Sequence, residues 1–346
     1  MFKKILSICL ILLLSLTIVA GCGGKQAEGP AQTGQNNQTG NESKDQINIR
    51  VGHVLAPTHP YQLGLEKFAE LVSQKTNGKV KVEVFHSSQL GNERDMVEGL
   101  QLGTLEMTLV STAPLSSFTK KFMVFDLPFI FKDTASARAV VDGPIGTQLL
   151  DSLSDQGIIG LAYFENGFRH VTNNSKPIEK PEDLKGMKIR TMENPVHMAT
   201  FKVMGADPTP MAFGELFTAL QQGTIDGQEN PLPIVETSKF YEVQKYLSLT
   251  GHFYAPAPLL ISKSFFESLS PDVQNAIKEA AAEARDYERK LLDEMNAKLV
   301  DELQKKGMQI NEVDKEAFIK AVQPVYTQFE SHITPELINQ VIEAQK

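Results

Sequence analysis

Two arginines lie alone among lysines in the middle of this sequence, and they are its best candidates for binding chemistry. Arg169 and Arg190 are the only arginines between Arg138 and Arg285. A guanidinium presents a rigid planar set of donors that fits a carboxylate, whereas an ammonium is a hydrated point charge. The pair therefore predicts recognition of an anion. The alternative is two ordinary ion pairs.

Spacings typical of catalysis or metal binding are weak. The sequence contains no Gly-x-Ser-x-Gly elbow, no phosphate-binding glycine loop and no Cys-x-x-Cys pair. Glu193 and His197 are four residues apart, as two metal ligands on a helix would be, but the sequence indicates no third ligand. We expect no enzyme, no metal site and no cofactor. A metal-dependent lyase using Glu193 and His197 is the enzymatic alternative.

The elements that would position the arginines alternate between strands and helices. Apolar alternation predicts strands near 47–54, 80–85, 105–110, 158–164, 187–191, 224–228 and 246–250, and a period of 3.6 predicts helices between them. This order indicates an α/β fold, in which a second α/β unit begins near Phe168. A helical pattern from Pro271 to Lys305 would extend about 50 Å. We expect that helix to lie across both units.

Polar residues follow several of these strands, where open α/β sheets place their ligands. Glu93 begins a helix after the second strand, Ser111 follows the third, and Asn230 follows the strand at 224–228. Phe213 is a candidate aromatic contact for a carbon chain, with core packing as an equal alternative. These side chains and the two arginines are the predicted binding residues.

The N-terminal residues predict export and a lipid anchor. An apolar run from Ile5 to Ala20 follows two lysines, is shorter than the roughly twenty residues that span a bilayer, and ends at small residues before Cys22. The pattern predicts a signal peptide over 1–21 and lipidation of Cys22, with a retained membrane helix as the alternative. Polar and glycine-rich residues in 22–45 would form a flexible tether from the bilayer.

The charge of the chain bears on its partners. The formal charge is −8, and removal of Lys3 and Lys4 with the signal peptide makes the mature chain −10. Nucleic acid is therefore not an expected partner. An acidic protein that binds an anion must use local donors in a shielded cleft, which again favours the two arginines.

Four segments, in order and at characteristic spacing, carry a family resemblance that covers nearly all of 47–330. They are Ser87-Ser88-Gln89-Leu90-Gly91, Leu184-Lys185-Gly186-Met187-Lys188-Ile189-Arg190, Pro210-Met211-Ala212-Phe213 and Asp226-Gly227-Gln228-Glu229-Asn230-Pro231. On these segments the chain resembles the solute-binding proteins of tripartite ATP-independent periplasmic (TRAP) transporters, of the dicarboxylate-binding (DctP) class.

The resemblance implies a periplasmic-binding-protein-like fold of the type II class, with crossing hinge strands and a long helix spanning two domains. Domain I would comprise 46–167 plus about 256–295, and domain II 168–255 plus about 296–346. Such a protein closes on a small organic acid outside the cytoplasm and delivers it to an ion-gradient-driven membrane permease. The alternative is a binding protein for an ATP-driven importer.

The resemblance also implies roles for particular residues of the second domain. In that family the arginine ending the Lys-Ile-Arg strand clamps the ligand carboxylate, and this position is Arg190. The preceding arginine, Arg169, would supply a second contact. The family's aromatic and asparagine contacts match Phe213 and Asn230.

Ligand identity depends on the remaining candidates. Glu93 and Ser111 lie where first-domain contacts occur, and His53 follows the first strand. Sialic-acid-binding relatives carry an asparagine three residues after the clamping arginine, whereas this chain has Glu193 there and Asn194 next to it. Two ligand classes stay open: C4-dicarboxylates such as malate or succinate, favoured by the class, and sugar acids such as uronates, favoured by Glu193 and Glu93.

Overall fold

A computed structural model describes residues 46–346. The predicted signal peptide, Cys22 and tether lie outside these residues. Within them, nine strands form one mixed sheet: β1 (Ile47–Gly52), β2 (Val80–Phe85), β3 (Met107–Leu109), β4 (Ile158–Asn173), β5 (Lys188–Thr191), β6 (Asp207–Pro210), β7 (Gly227–Pro231), β8 (Tyr246–Ser262) and β9 (Gln309–Asn311).

The sheet has two parallel ends joined by two long strands. Its order is β2-β1-β3-β8-β4-β7-β5-β6, with β9 beside β8. Strands β1, β2 and β3 are parallel at one end, and β5, β6 and β7 are parallel at the other. Between them β4 and β8, of 16 and 17 residues, pair antiparallel along nearly their whole lengths. These two strands therefore carry the chain between the ends of the sheet.

The central strands change register where they pass between the two ends. Shifts in the β4–β8 pairing occur between Glu165 and Gly167 and between Arg169 and Val171. Gly167 has a φ of 97°, which a residue with a side chain adopts only under strain. The regular pairing of β4 is therefore interrupted immediately before Arg169.

Helices cover the sheet. They are α1 (Pro60–Lys75), α2 (Glu93–Leu102), α3 (Thr112–Leu115), α4 (Thr134–Asp142), α5 (Pro144–Asp151), α6 (Pro195–Val203), α7 (Phe213–Gln221), α8 (Leu232–Thr237), α9 (Lys263–Ser268), α10 (Pro271–Lys305), α11 (Lys315–Ala321), α12 (Gln323–Phe329) and α13 (Pro335–Glu343). Short 3₁₀ turns occupy Lys120–Asp126, Ser152–Gln156, Pro181–Leu184 and Phe240–Glu242. None of the helices in this described part of the chain is long and apolar enough to cross a membrane.

The long helix predicted from the sequence is present as α10. It has 35 residues, about 50 Å at 1.5 Å per residue, and it packs against α1, α8 and β4. Pro271 occupies its first turn, where a proline lacks no hydrogen bond that the helix needs. The α/β class and the long helix are confirmed, while the division into two domains stays a prediction.

Several boundaries differ from the sequence prediction. The strand predicted near 158–164 extends to Asn173 as β4, and the strand predicted at 224–228 runs instead over Gly227–Pro231. Residues 315–329 form two helices, α11 and α12, rather than one, because Pro324 lies in the first turn of α12. Strand β6 was missed because its sequence, Asp-Pro-Thr-Pro, lacks the apolar alternation of a strand.

Candidate ligand-binding site

Arg190 is a buried cation without an acidic partner among residues 46–346. It lies in β5, between β6 and β7, and is 2% exposed. Its Nε and Nη2 donate to the carbonyl oxygen of Met211 at 2.9 and 2.6 Å, and its Nη1 is buried without a partner. Burial and, to a lesser extent, Arg169 lower the pKa of Arg190 to about 10. The nearby charges of Glu229 and Glu93 act to raise that pKa but do not outweigh burial. The site destabilises this charge until an anion is supplied.

Arg169 is also buried, but it has a protein carboxylate. Strands β4 and β7 are antiparallel, which brings Arg169 beside Glu229 and Asn230. Its Nε and Nη2 donate to the two Glu229 carboxylate oxygens at 2.5 and 2.7 Å, and Nη2 also donates to Asn230 Oδ1 at 3.1 Å. Burial would raise the pKa of Glu229, but Arg169 outweighs burial and holds that pKa well below its usual value.

The Glu229 carboxylate has a second neighbour. His252 Nε2 lies 3.2 Å from Glu229 Oε2, and the other ring nitrogen lies 2.7 Å from Thr250 Oγ1. Burial lowers the pKa of His252 more than Glu229 raises it. Glu229, itself in contact with His252, therefore fixes the position of the Arg169 guanidinium.

A second group of cavity residues, called here the second wall, comes from α1, α2, the N-cap of α3 and the part of β4 before Arg169. Glu93 accepts a hydrogen bond from the Ser111 amide at 2.6 Å, and burial raises its pKa. Asn166 Nδ2 donates to Ser111 Oγ at 2.9 Å, while Asn166 Oδ1 is buried with no partner in the described residues. The hydroxyl of Tyr61 is likewise buried and unpartnered there. This wall therefore offers acceptors and two hydroxyl groups, those of Tyr61 and Ser111.

Both walls line one narrow cavity of about 10 Å³, which has room for roughly one water molecule. Its polar lining consists of Tyr61, Glu93, Ser111, Asn166, Arg169, Arg190 and Asn230, and its apolar lining of Val54, Leu55, Met192, Phe213 and Ile234. Phe213, at the start of α7, is half-buried and edge-on to Phe240 at 6.1 Å. Six of the nine predicted binding residues thus line a single cavity.

The other three predicted residues do not line this cavity. Glu193 is exposed. His53 is buried, accepts from the Leu55 amide through Nδ1 and lies 2.8 Å from Gln62 Oε1 through Nε2. Burial lowers the pKa of His53 to about 4, so the ring is neutral with its proton on Nε2. Asn194 is buried as the N-cap of α6.

The alternative metal pair does not form. His197 Nε2 lies 3.1 Å from Asp126 Oδ1, and its ring stacks on Phe253 with centroids 4.1 Å apart, whereas Glu193 faces solvent. Residues 46–346 contain no group of three acidic, histidine or cysteine side chains placed to hold a metal ion.

Tyr61, Asn166 and Glu229 are polar residues at or next to the cavity that were not predicted from the sequence. Tyr61 begins a helix, where an aromatic residue usually indicates core packing. Asn166 lies inside a strand, and only its nearness to Arg169 in sequence could have singled it out. Glu229 belongs to a segment already noted, but the antiparallel β4–β7 register that pairs it with Arg169 joins residues 60 apart.

The chain matches known proteins over most of its length. Residues 51–332 match the family model described as DctP, bacterial extracellular solute-binding protein, family 7. The 2,3-diketo-L-gulonate-binding periplasmic protein YiaO of Escherichia coli is 41% identical over 79% of this chain and 84% of that protein. The C4-dicarboxylate-binding protein DctB of Bacillus subtilis is 34% identical over 88% of each chain.

A solved structure agrees with the sequence matches. The crystal structure of a TRAP periplasmic solute-binding protein from Polaromonas sp. JS666, bound to D-erythronate, is 44% identical and superposes with a TM-score of 0.84 over 86% of this chain and 98% of that one. The fold class is thereby confirmed, and the chain is an extracytoplasmic binding protein and not an enzyme. It belongs to the DctP family of bacterial extracellular solute-binding proteins, which serve TRAP transporters.

Proposed function

We propose that this chain captures a small hydroxylated monocarboxylate of the sugar-acid class and delivers it to a TRAP permease. The observation that carries the proposal is Arg190, a buried guanidinium whose Nη1 has no partner in the described part of the chain. A buried charge needs a counter-ion, because removing it from water costs on the order of several kcal/mol. A ligand carboxylate bound at Nη1 supplies that counter-ion.

Charge balance in the cavity favours one carboxylate over two. Arg169 is already neutralised by Glu229, so Arg190 is the cation of the cavity lining left for a ligand. Glu93 adds a carboxylate to the lining of the same cavity. Two like charges about 4 Å apart repel by roughly 4 kcal/mol at an effective dielectric near 20, so an ionised Glu93 opposes a second ligand carboxylate.

Hydroxyl groups suit the second wall. Glu93 and the Asn166 Oδ1 atom are acceptors for hydroxyl donors, and the Tyr61 hydroxyl can donate to the acid. Two of the compared relatives are named or crystallised with sugar acids, 2,3-diketo-L-gulonate and D-erythronate, while the Bacillus subtilis relative is named for C4-dicarboxylates. The residues of the cavity favour the first class.

Capture proceeds by closure of two domains, 46–167 with about 256–295 and 168–255 with about 296–346. The irregular pairing of β4 supports this division, since two of its three register shifts and Gly167 lie at the proposed boundary. Arg190 and Glu93 then belong to different domains, and a ligand between them stabilises the closed form. Small-angle scattering should show a smaller radius of gyration with a bound acid than without it; equal radii would contradict closure.

The protein acts from the membrane surface through lipid on Cys22. The pattern of small residues before Cys22, after a short apolar run, supports this anchor. In the natural host, a labelled fatty acid should be incorporated into the wild type and not into Cys22→Ser. Equal labelling of the two proteins would contradict lipid anchoring.

A ligand panel tests the proposed substrate class. Aldonates, uronates, sugar keto acids and C4-dicarboxylates are compared by thermal shift and then by calorimetry. A ligand at a hundredfold excess over Kd stabilises the protein by about 2.7 kcal/mol, which a thermal shift detects readily. We expect hydroxylated monocarboxylates to bind most tightly. Tighter binding of succinate or malate than of every sugar acid would overturn the proposal.

A further inference from the structure

We infer that Asn194 is a positioning residue for ligand capture: it latches the wall that carries Arg190 to the wall that carries Ser111 without touching the ligand. The Asn194 latch comprises Asn194, Asp126 and His197. The inference rests on the domain closure proposed above. It assigns the predicted ligand residue Asn194 a different role.

The side-chain amide of Asn194 uses both of its ends. Its Oδ1 accepts from the amides of Val196 and His197 at 2.8 and 3.2 Å, which caps α6. Its Nδ2 donates to Asp126 Oδ2 at 2.8 Å, and also lies 2.9 Å from the Ala113 carbonyl oxygen and 3.3 Å from Ser116 Oγ. Asn194 is only 1% exposed, so water cannot replace these partners in the closed form.

A second contact runs parallel to the first. His197, one turn into α6, lies 3.1 Å from the other Asp126 oxygen through Nε2. Asp126 is 3% exposed and ends the 3₁₀ turn Lys120–Asp126. The buried Asp126 carboxylate therefore contacts two side chains from the start of α6, those of Asn194 and His197.

The latch joins the segments that hold the two cavity walls. Asn194 lies four residues after Arg190, in the turn between β5 and α6. Ala113 lies in α3, whose N-cap Ser111 lines the cavity and donates its amide to Glu93. In the proposed division Asp126 and Ala113 belong to domain I, and Asn194 and His197 to domain II. Opening the domains must break these buried hydrogen bonds.

The variant Asn194→Asp isolates the latch from the helix cap. Asp and Asn are comparable N-caps, so the cap on α6 is kept, while the Nδ2 donor becomes a carboxylate oxygen facing Asp126. We expect the bound acid to dissociate at least tenfold faster, with a nearly unchanged association rate and an unchanged melting temperature of the ligand-free protein. Stopped-flow kinetics with the tightest acid of the panel measures both rates.

The matched control exchanges the carboxylate and the side-chain amide between positions 126 and 194. In the double variant D126N/N194D, the side-chain amide introduced at position 126 donates to the carboxylate introduced at position 194, and the amide oxygen still accepts from His197. The dissociation rate should return towards that of the wild type, which a role for Asn194 as a cap alone would not produce.

The outcomes separate the latch from the proposed function. A wild type that binds its acid while N194D dissociates at the wild-type rate overturns the latch alone. Loss of stability in ligand-free N194D without rescue in D126N/N194D also overturns it, because Asn194 is then a structural cap. A wild type that binds none of the panel overturns the proposed function, and the latch with it.

Discussion

Arg169 and Arg190 lie in the same cavity and are buried to the same degree, 1% and 2% exposed, yet their surroundings differ. Arg169 has a bidentate carboxylate partner in Glu229. Arg190 has the carbonyl oxygen of Met211 and an Nη1 without a partner in residues 46–346. Burial alone therefore does not identify a ligand contact. The missing counter-ion does, because a folded protein rarely retains an unpaired buried charge without a functional reason.

The two arginines should contribute to stability in opposite ways. Arg169 offsets the burial of Glu229, so removing it leaves an uncompensated acid. Arg190 is itself uncompensated in the ligand-free site, so removing it relieves a desolvation cost. Arg190 therefore lowers the stability of the ligand-free protein and favours ligand binding, as expected at a functional site.

The largest effect is expected from Arg169→Met. Glu229 would be left buried without its cation, which should lower the free energy of unfolding by about 3–5 kcal/mol. Urea unfolding of the ligand-free protein, followed by circular dichroism, measures the loss. The double variant R169M/E229Q should recover much of it, because the neutral amide costs less to bury. A loss below about 1 kcal/mol would contradict the importance of the pair.

Arg190→Lys should weaken ligand binding and leave stability nearly unchanged, whereas Arg169→Met mainly lowers stability. The ammonium keeps the charge but cannot hold Met211 and a carboxylate in the geometry of a guanidinium. We expect affinity to fall a hundredfold or more, about 2.7 kcal/mol, with little change in the free energy of unfolding of the ligand-free protein. Calorimetry and urea unfolding on the same preparation check both values. Unchanged affinity would remove Arg190 from the site.

Glu93→Gln tests how the negative charge of Glu93 contributes to binding at the cavity that Arg190 lines. The amide oxygen still accepts from the Ser111 amide, but the negative charge is gone. Affinity for the sugar acid should fall roughly tenfold, since a hydrogen bond to a charged group contributes about 1.5–3 kcal/mol. Discrimination against succinate should fall as well, because the repulsion is removed. If succinate gains no affinity relative to the sugar acid, Glu93 does not set the charge of the ligand.

Glu288 is the acidic counterpart of Arg190. It is a buried acid without a cation partner in the described part of the chain. It lies in α10, is fully buried, accepts from the Glu165 amide at 3.2 Å, and has its other oxygen unpartnered. Burial first, and then the charge of Glu165, raise the pKa of Glu288 well above its usual value, against the lowering effects of Arg289 and Arg138. Burial therefore favours the protonated form of Glu288 in the folded protein.

A raised pKa gives Glu288 a definite effect on stability. Its contribution is fully present below the unfolded pKa of about 4.3 and is lost as pH rises towards the folded pKa. Glu288→Gln keeps the acceptor for the Glu165 amide and does not titrate. The free energy of unfolding of the wild type should fall relative to that of the variant as pH increases from about 4 to about 8. Parallel pH profiles would contradict a protonated Glu288.

The sequence predicted the local features of this molecule better than its long-range ones. The alternation that predicts β5 placed Arg190 at the end of a strand, and local patterns placed Glu93 at the start of a helix and Ser111 after a strand. Partners distant in sequence were not predictable, because the register of β4 against β7, which decides that Arg169 is paired, depends on the whole sheet. Burial also differs between neighbours in one turn, since Glu193 is exposed and Asn194 is buried.

The central claim is that Arg190 binds the carboxylate of the ligand. The most direct test is a thermodynamic cycle by calorimetry, with a sugar acid and the corresponding neutral alditol, on the wild type and on Arg190→Gln. We predict that loss of the ligand carboxylate weakens binding to the wild type at least a hundredfold, about 2.7 kcal/mol, but to the variant less than tenfold. An equal loss in both proteins would show that the carboxylate binds elsewhere and would contradict this account.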